Sequence, residues 1–342
     1  MTITIPAAYE GRLLRSYLKL TLGLSTAALA KLKNHPHGIL VNGSRVTVRY
    51  VLREGDTLTL AEADSPETAT ETVIPANLPL CVLYEDDHVI ALNKPPFMPT
   101  HPSHGHLTDT LANALAYRYA RQGKPFVFRP LGRLDRNTSG VVIAGKNRMA
   151  SGALGRALLD GLVTKRYLAI VEGEMPTDQL THTLKTYVYR PDAMGIRREV
   201  CTHDTPGAEV AITQYRVLAA HRGLSLVLAQ PKTGRTHQLR VHFAHMGYPI
   251  LGDEIYGTPS AIIARHGLHA LSLSLPLPFA VCRSPVSHEA SANGLNTTDR
   301  EGYLHTWAPL PEDMKIITDE YFPSLIPDAP NYDTLRLLGF ET

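Results

Sequence analysis

The sequence predicts an α+β protein, in which a small N-terminal α+β domain precedes a larger domain with flanking helices on a mixed, mostly antiparallel β-sheet. The chain has 342 residues, which at about 150 residues per domain favours two domains. Its β-rich runs do not alternate strictly with helices, as they would in a doubly wound parallel sheet. Its composition, 44% hydrophobic and 19% charged residues, is typical of a folded globular protein and excludes a chain that is disordered throughout.

The first sixty residues predict two short helices followed by β-strands. The segment GRLLRSYLKLTL places its leucines at roughly helical spacing, and Gly23 is expected to end that helix. Ser25 is expected to cap a second helix, TAALAKLKN. In ILVNGSRV, two β-branched runs surround an Asn-Gly pair, which is a strong hairpin signal. The segment VLREGDTLTL predicts a further strand pair around its Gly-Asp dipeptide.

Basic residues are concentrated in two blocks of the sequence. Residues 1–60 contain eight Lys or Arg against three acidic residues, and residues 129–173 again contain eight against three. By contrast, residues 61–93 contain seven acidic residues and no Lys or Arg, and residues 310–342 contain seven acidic residues against two basic ones. The two basic blocks predict a polyanionic partner.

The changes in composition predict the domain boundaries. We expect a basic domain at 1–62, a proline-marked linker at 63–78, the second domain at 79–318 and an acidic tail at 319–342. In the second domain, Thr108 is expected to cap a helix. The other expected elements are two strands in CVLYEDDHVIALNKPP, strands at GVVIAGK, RYLAIVEG, AEVAITQYRVLAA and LSLVLAQ, and a helix at ASGALGRALLDG.

The segment RPLGRLDRNTSG, residues 129–140, carries a carboxylate among cations. Asp135 lies between Arg133 and Arg136. On an extended strand, Arg133 would share a face with Asp135, and Arg136 would point the other way. A carboxylate among cations stays ionised at neutral pH and could act as a nucleophile or as an anchor. An alternative of equal weight is a turn aspartate that bonds to its own backbone.

Two further segments carry chemically informative residues. In PKTGRTHQLRVHFAH, residues 231–245, the basic residues are spaced as on one face of a helix that starts near Thr236, and such a helix N-terminus is suited to binding phosphate. In TKRYLAIVEG, residues 164–173, Tyr167 lies on a predicted strand, where a tyrosine usually packs in the core.

Several classes of protein are disfavoured by the sequence. No apolar run approaches the length of a membrane span, and the N-terminus lacks the pattern of a secretory signal. The three cysteines are far apart, which argues against a disulfide framework and fits the cytoplasm. The histidine-rich runs lack ligand spacing for zinc, and no glycine-rich nucleotide loop is present, so we expect no metal and no cofactor.

Taken together, these segments resemble the motifs of a known protein family. GRLDRNTSGVVIAGK, KRYLAIVEG and TGRTHQLRVHFAHMGYPILGDEIYG closely resemble motifs of the RluA family of RNA pseudouridine synthases. ALNKPPFMPTHP resembles the first motif of that family, and RHGLHALSLSLPLP and YLHTWAPLPEDMK resemble its closing segments. The resemblance covers about residues 80–318. Residues 1–60 resemble the small RNA-binding module named after a small-subunit ribosomal protein, in which the second helix and the hairpin face RNA.

The resemblance implies roles for individual residues. Asp135 would be the catalytic aspartate, Tyr167 would lie under the target uracil, and Arg240 would pair with the aspartate. Arg133 would fill the gap left by the flipped base. The remaining residues expected to bind substrate or RNA are Arg136, Lys165, Arg235, His237, Gln238, Leu239, Lys31, Lys33 and Arg45.

The implied reaction breaks the uracil–ribose bond, turns the base and rejoins it through carbon, after the uridine has left its stack. Asp135 would either attack the sugar or remove a sugar proton, and Tyr167 could help to remove the final proton. The expected partner is large-subunit ribosomal RNA first and transfer RNA second, with no membrane, no obligate protein partner and a monomeric chain. The polar stretch 283–300 looks like an insertion that could affect substrate choice.

Two other functions compete with this interpretation. An RNA-binding protein that has lost catalysis should have lost Asp135, Tyr167 or Arg240, and all three are present. A glycosidase-type hydrolase needs two carboxyl groups about 5–9 Å apart. Asp135 is the carboxylate of the central motifs, and the nearest others in sequence are Asp160, Glu172 and Asp253.

Overall fold

The structure is a computed structural model. It describes residues 2–24, 26–61, 73–124, 126–178, 180–277, 297–298 and 302–323. Four of the sequence predictions fall wholly or mostly outside the described residues: the Ser25 cap, most of the linker, most of the polar stretch 283–300 and the tail beyond residue 323.

The N-terminal residues form a four-stranded antiparallel sheet, and their hydrophobic core also includes Met149 from the larger part of the chain. The predicted helix TAALAKLKN is present without change, and Asn42 and Gly43 have φ angles of 52° and 78°, as a tight hairpin turn requires. Two expectations were wrong: the first helix is short and continues into a π-helical turn at Tyr17–Thr21, and one strand, not two, flanks the Gly-Asp dipeptide. The elements are β1 (Thr2–Thr4), a 3-10 turn (Ala7–Tyr9), α1 (Leu14–Ser16), α2 (Thr26–Asn34), β2 (Ile39–Val41), β3 (Ser44–Arg45) and β4 (Thr57–Leu60), with the strand order β1-β4-β2-β3.

The larger part of the chain is built on a mixed, mostly antiparallel sheet with flanking helices, which confirms the predicted fold class. Its strands are β5 (Cys81–Glu85), β6 (Val89–Lys94), β7 (Arg129–Pro130), β8 (Ser139–Gly145), β9 (Thr164–Glu172), β10 (His182–Tyr189), β11 (Glu199–Cys201), β12 (Glu209–His221), β13 (Leu224–Pro231), β14 (Leu268–Pro276), β15 (Thr297–Thr298) and β16 (Tyr303–Trp307). Its helices are α3 (Leu111–Ala120), α4 (Arg148–Leu159), α5 (Gln238–His245) and α6 (Glu312–Tyr321).

The main strand order is β11-β10-β12-β13-β9-β14-β8-β6-β5, with β7 on β8 and β16 on β14. Among the described strands, the pairing of β8 with β14 is the parallel one. Gly140, on β8, has a φ of 111°, and a Cβ there would lie 2.2 Å from the carbonyl oxygen of Ala270 on β14. The Thr-Ser-Gly that follows Asp135 therefore ends in a glycine because two backbones meet there.

Helices cover both faces of the central strands. On β9, Leu168 and Ile170 pack in a cluster with Met314 and Ile317 of α6. The alternating residues of the same strand pack on the opposite side, against Leu239 and Phe243 of α5. Helix α5 is thereby seated next to the strand that carries Tyr167.

Two local details differ from the sequence predictions. Helix α3 is capped by Thr110 and not by Thr108, since the Thr110 side chain accepts from the main-chain N–H of Asn113. Helix α6 continues to Tyr321, past the expected boundary at 318, and Phe322 packs in the core. Within the described part of the chain, none of the helices is both long and apolar enough to span a membrane.

Candidate active site

A cleft of about 410 Å³ lies where three parts of the large domain meet. One wall is the loop 131–138 between β7 and β8, another is the start of β9, and the third is the segment that leads from the end of β13 into α5. Of the residues expected at the site, nine line this cleft: Arg133, Asp135, Lys165, Tyr167, Arg235, His237, Gln238, Leu239 and Arg240. The cleft thus joins residues that are far apart in the sequence.

Of the two conformations considered, the structure has the loop, since Asp135 does not lie on a strand. Its carboxylate accepts a hydrogen bond from Nη1 of Arg240 at 3.3 Å, and not from the turn's own backbone. The loop is held by distant side chains. Thr100 bonds to both the N–H and the carbonyl of Leu134, and Arg265 donates to the carbonyl of Asn137 at 2.9 Å. The position of Asp135 is therefore fixed by tertiary contacts.

Arg240 is buried on α5 and has two carboxylate partners. Its Nε and Nη2 donate to the two oxygens of Asp253 at 2.6 and 2.7 Å, whereas the bond to Asp135 is longer. Both carboxylates and the ring of Tyr256 surround the guanidinium, whose carbon lies 5.2 Å from the ring centroid. The hydrogen bonds and charges of these carboxylates raise the pKa of Arg240 against the opposing effect of burial. Arg240 is therefore a permanent cation next to Asp135.

His237 caps α5 in the left-handed conformation, with a φ of 57°. Its Nε2 lies 3.8 Å from Oδ2 of Asp135, and its Nδ1 lies 2.9 Å from the hydroxyl of Tyr256. Burial lowers the pKa of His237, although Asp135 acts in the opposite direction. The imidazole is therefore neutral at pH 7, and its Nε2 atom faces Asp135.

Gln238 and Leu239 shape the cleft from within the protein. The side-chain oxygen of Gln238 accepts from Thr233 and from the N–H of Arg235, and its amide nitrogen donates to Ile212 and Thr213. Because Gln238 is buried and its amide group is bonded within the protein, it fixes the turn before α5. Leu239 is buried with Phe243, and Arg235 is tied to Glu209 at 2.6 Å at the rim.

Tyr167 is half-buried and packs against the cluster around α5, while it also lines the cleft. Burial and the charge of Asp135 raise the pKa of its phenol. Lys165, two residues earlier on β9, also lines the cleft, and burial lowers its pKa. Alternate residues of a strand share a face, so Lys165 and Tyr167 form one wall.

The charge of the cleft is strongly positive. Arg133 is exposed at its rim, whereas Arg136 donates to the carbonyl of Phe97 at 3.3 Å and does not line the cleft. The cationic residues that line it are Arg133, Lys165, Lys232, Arg235 and Arg240, and Asp135 is the acidic residue among them. A glycosidase-type pair of carboxylates is therefore not present in this cleft, because Asp253 is buried against Arg240.

Comparison with known proteins agrees with this geometry. The family model of RNA pseudouridylate synthase matches residues 88–245, which include Asp135, Tyr167 and Arg240. The uncharacterized RNA pseudouridine synthase YjbO of Bacillus subtilis is 36% identical over 301 residues, which cover 87% of this chain and 96% of that protein. This chain belongs to the RNA pseudouridine synthase family.

Two further proteins are similar to this pseudouridine synthase. Ribosomal large subunit pseudouridine synthase D of Borreliella burgdorferi is 36% identical over 203 residues, or 58% of this chain and 61% of that protein. Human RNA pseudouridylate synthase domain containing 4 superposes with a TM-score of 0.50 at 23% identity, over 70% of this chain and 91% of that structure, which supports the fold.

The cationic residues expected to bind RNA in the N-terminal part of the synthase lie outside the cleft. Lys31 and Lys33 are exposed on α2. Arg45, exposed on β3, donates to the carbonyl of Lys33 at 3.1 Å, which brings the hairpin next to the end of α2. Arg45 and Lys33 are therefore neighbours in space, whereas Lys31, two residues earlier on α2, does not face Lys33.

Two buried histidines of the synthase lie next to hydroxyl groups. His242 lies 2.9 Å from the hydroxyls of both Thr186 and Thr213. His266 lies 2.8 Å from the hydroxyl of Thr138. Within the described residues, no three His, Cys, Asp or Glu side chains are grouped as metal ligands would be.

Two supporting residues of the site were not predicted from the sequence. Asp253 was considered only as a second carboxylate, and Tyr256 was not singled out at all. Both lie in the segment GDEIYG, in which four residues separate the two glycines. Their partners, Arg240 and His237, are adjacent in space but belong to another motif, so tertiary structure was needed to connect them.

Proposed function

We propose that this chain converts specific uridines of a structured RNA to pseudouridine, with large-subunit ribosomal RNA as the first candidate and transfer RNA as the second. The observation that carries the proposal is the meeting of Asp135, Tyr167 and Arg240 in one cationic cleft. The relative in Borreliella burgdorferi that is named for the large ribosomal subunit supports ribosomal RNA as the first candidate. An inactive RNA-binding protein would have no need of a carboxylate that accepts a hydrogen bond from Arg240 in this cleft.

The reaction is an isomerisation within one nucleotide. The bond between C1′ of ribose and N1 of uracil breaks, a bond between C1′ and C5 forms, the proton on C5 leaves, and N1 takes up a proton. Atoms and electrons therefore balance without an oxidant, a reductant or an energy source. Asp135 starts the reaction, either as a nucleophile toward the sugar or as a base toward a sugar proton.

The other residues of the cleft serve binding and orientation. The target uridine leaves its stack to enter the cleft, where the ring of Tyr167 offers a stacking face. Arg133, exposed at the rim, takes the place that the base has left. Lys165 and Arg235 face the phosphates, while Lys31, Lys33 and Arg45 bind RNA farther from the target. Arg136 bonds to Phe97 instead, so it contributes to the loop and not to the cleft.

The test is a map of pseudouridines in ribosomal and transfer RNA from a strain that lacks the gene. We expect at least one pseudouridine to be missing from large-subunit ribosomal RNA, and to return with the wild-type gene but not with the Asp135→Asn variant. Loss of a nucleophile should slow the reaction by more than about 100-fold. If pseudouridines are missing only from transfer RNA, transfer RNA is the substrate. If the Asp135→Asn variant restores the missing pseudouridine, the proposed role of the aspartate is contradicted.

A further inference from the structure

The turn from Asp253 to Tyr256 contacts both polar groups that reach Asp135. Asp253 holds two nitrogens of Arg240, and its Oδ1 also accepts from the N–H groups of Ile255 and Tyr256 at 3.0 and 3.2 Å. The hydroxyl of Tyr256 lies 2.9 Å from Nδ1 of His237. The same carboxylate therefore orders the turn and orients Arg240.

Arg240 makes two hydrogen bonds to Asp253 but only one, longer bond to Asp135. Asp253 is completely buried, and its two short bonds occupy one edge of the planar guanidinium. Only Nη1 is directed at Asp135, at the longer distance of 3.3 Å. One positive charge is thus shared by two carboxylates, which leaves Asp135 oriented but not tightly neutralised.

The hydroxyl of Tyr256 also fixes the proton on His237. It accepts from the main-chain N–H of Arg198 at 2.8 Å, so its own hydrogen is available for Nδ1 of His237. A neutral imidazole that accepts at Nδ1 carries its hydrogen on Nε2. In His237, this Nε2 faces Asp135.

We propose that Asp253 and Tyr256 are positioning residues of the catalytic site, Asp253 through Arg240 and Tyr256 through His237. This proposal rests on the proposed role of Asp135. Without the negative charge of Asp253, the guanidinium turns toward Asp135, pairs with it through two nitrogens and makes it a poorer nucleophile or base. Without the hydroxyl of Tyr256, His237 loses its fixed orientation and tautomer.

The test uses the full chain and bulk RNA that carries uridine tritiated at C5, isolated from cells that lack the gene. Pseudouridine formation releases this tritium into water. Single-turnover rates at excess enzyme report the chemistry, and filter binding reports RNA affinity. We expect Asp253→Asn to lower the rate about 100-fold, as misplaced catalytic groups do, and to leave RNA affinity within about twofold. Glu254→Gln removes the same charge from the exposed neighbour and should leave both values unchanged.

A double-mutant cycle separates positioning from a merely structural role. If Asp253 acts through Arg240, adding Asp253→Asn to Arg240→Lys should lower the rate little further, whereas unrelated effects would multiply. Tyr256→Phe keeps the ring under Arg240 and should slow the reaction about tenfold, with no further decrease when combined with His237→Gln. If Asp253→Asn does not fold, Tyr256→Phe and its combination with His237→Gln still test the positioning proposal.

Asp135→Asn is measured alongside these variants. If it is inactive while folded Asp253→Asn and Tyr256→Phe react at wild-type rates, the positioning proposal is overturned and the proposed function stands. If Asp135→Asn itself reacts at the wild-type rate, the proposed function fails. Multiplicative decreases in both double mutants would also overturn the proposal, since they would show that each residue acts independently.

Discussion

The ammonium group of Lys94 donates to the main-chain carbonyl of Arg136 at 3.0 Å, one residue after Asp135. Lys94 lies at the end of β6 and is completely buried. Its other two hydrogens go to the carbonyls of Pro95 and Met98, at 2.9 and 2.7 Å. The three donors of one lysine therefore join the turn after β6 to the loop that carries Asp135, the proposed catalytic aspartate.

Replacement of Lys94 by methionine should impair both stability and catalysis. Three buried carbonyls would lose their donor, and an unsatisfied buried group costs about 1–3 kcal/mol, so we expect the free energy of unfolding to fall by at least about 2 kcal/mol. The single-turnover rate should fall as well, because the loop of Asp135 is released. Urea unfolding and tritium release measure the two effects, with exposed Lys185→Met as the control. A stable Lys94→Met variant with an unchanged rate would show that the loop is held by Thr100 and Arg265 alone.

Substitutions of Tyr167 should distinguish its ring from its hydroxyl. The raised pKa makes a phenolate rare in the resting enzyme, but one of its causes, the charge of Asp135, disappears if the aspartate becomes bonded to the sugar. We therefore expect Tyr167→Phe to bind RNA normally and to fail at the final loss of the C5 proton. Tyr167→Leu should also bind the flipped base more weakly, since stacking on an aromatic ring contributes about 1–3 kcal/mol. RNA affinity and tritium release give the two readouts, and full activity of Tyr167→Phe would leave stacking as its role.

The parts of the fold that were predictable from the sequence depend on local patterns. The helix Thr26–Asn34 and the buried strand Ser139–Gly145 follow from periodicity and from apolar runs. The sequence left open whether the segment around Asp135 is extended or a turn, because its conformation is set by hydrogen bonds from Lys94, Thr100 and Arg265, which no local pattern reveals.

The candidate site, too, was predictable from the sequence only in part. Motif resemblance was sufficient to choose Asp135, Tyr167 and Arg240, and the structure brings them to one cleft. The motif resemblance could not reveal that Arg240 binds Asp253 more closely than Asp135, since that depends on distances between separate elements. The helix expected to start near Thr236 begins at Gln238, because His237 adopts a left-handed conformation that a helical pattern does not indicate.

The exposed cations Lys31, Lys33 and Arg45 should contribute to RNA affinity through phosphates. Replacing all three by alanine should weaken binding and flatten the dependence of log affinity on log salt by about 0.7–0.9 for each phosphate that is no longer neutralised. The single-turnover rate at saturating enzyme should remain, because the cleft is unchanged. Arg121→Ala combined with Lys124→Ala removes exposed cations elsewhere and serves as the control. If the triple variant has the same salt slope as the wild type, these three cations are solvated and do not contact RNA.

Three buried histidines should make the folded protein sensitive to mild acid. Burial lowers the pKa of His242 and His269 to about 4 and that of His266 to about 3. Burial keeps His269 neutral in the fold against the opposing effect of Ala308 on its pKa, and its Nε2 donates to the carbonyl of Ala308, which leaves Nδ1 to accept from the hydroxyl of Ser139. In the unfolded chain each histidine titrates near pH 6.5.

As the pH falls from about 7 to about 5, the unfolded chain therefore binds more protons than the folded one, and stability is lost. Each of the three histidines should contribute about 1 kcal/mol per pH unit to the slope below the unfolded pKa. Urea unfolding over this range measures the slope, which His242→Asn should reduce by about a third and which His203→Asn, at an exposed position, should leave unchanged. A free energy of unfolding that stays constant over this range would mean that these histidines are protonated in the folded protein, with their hydrogen bonds to Thr213, Ser139 and Thr138 rearranged.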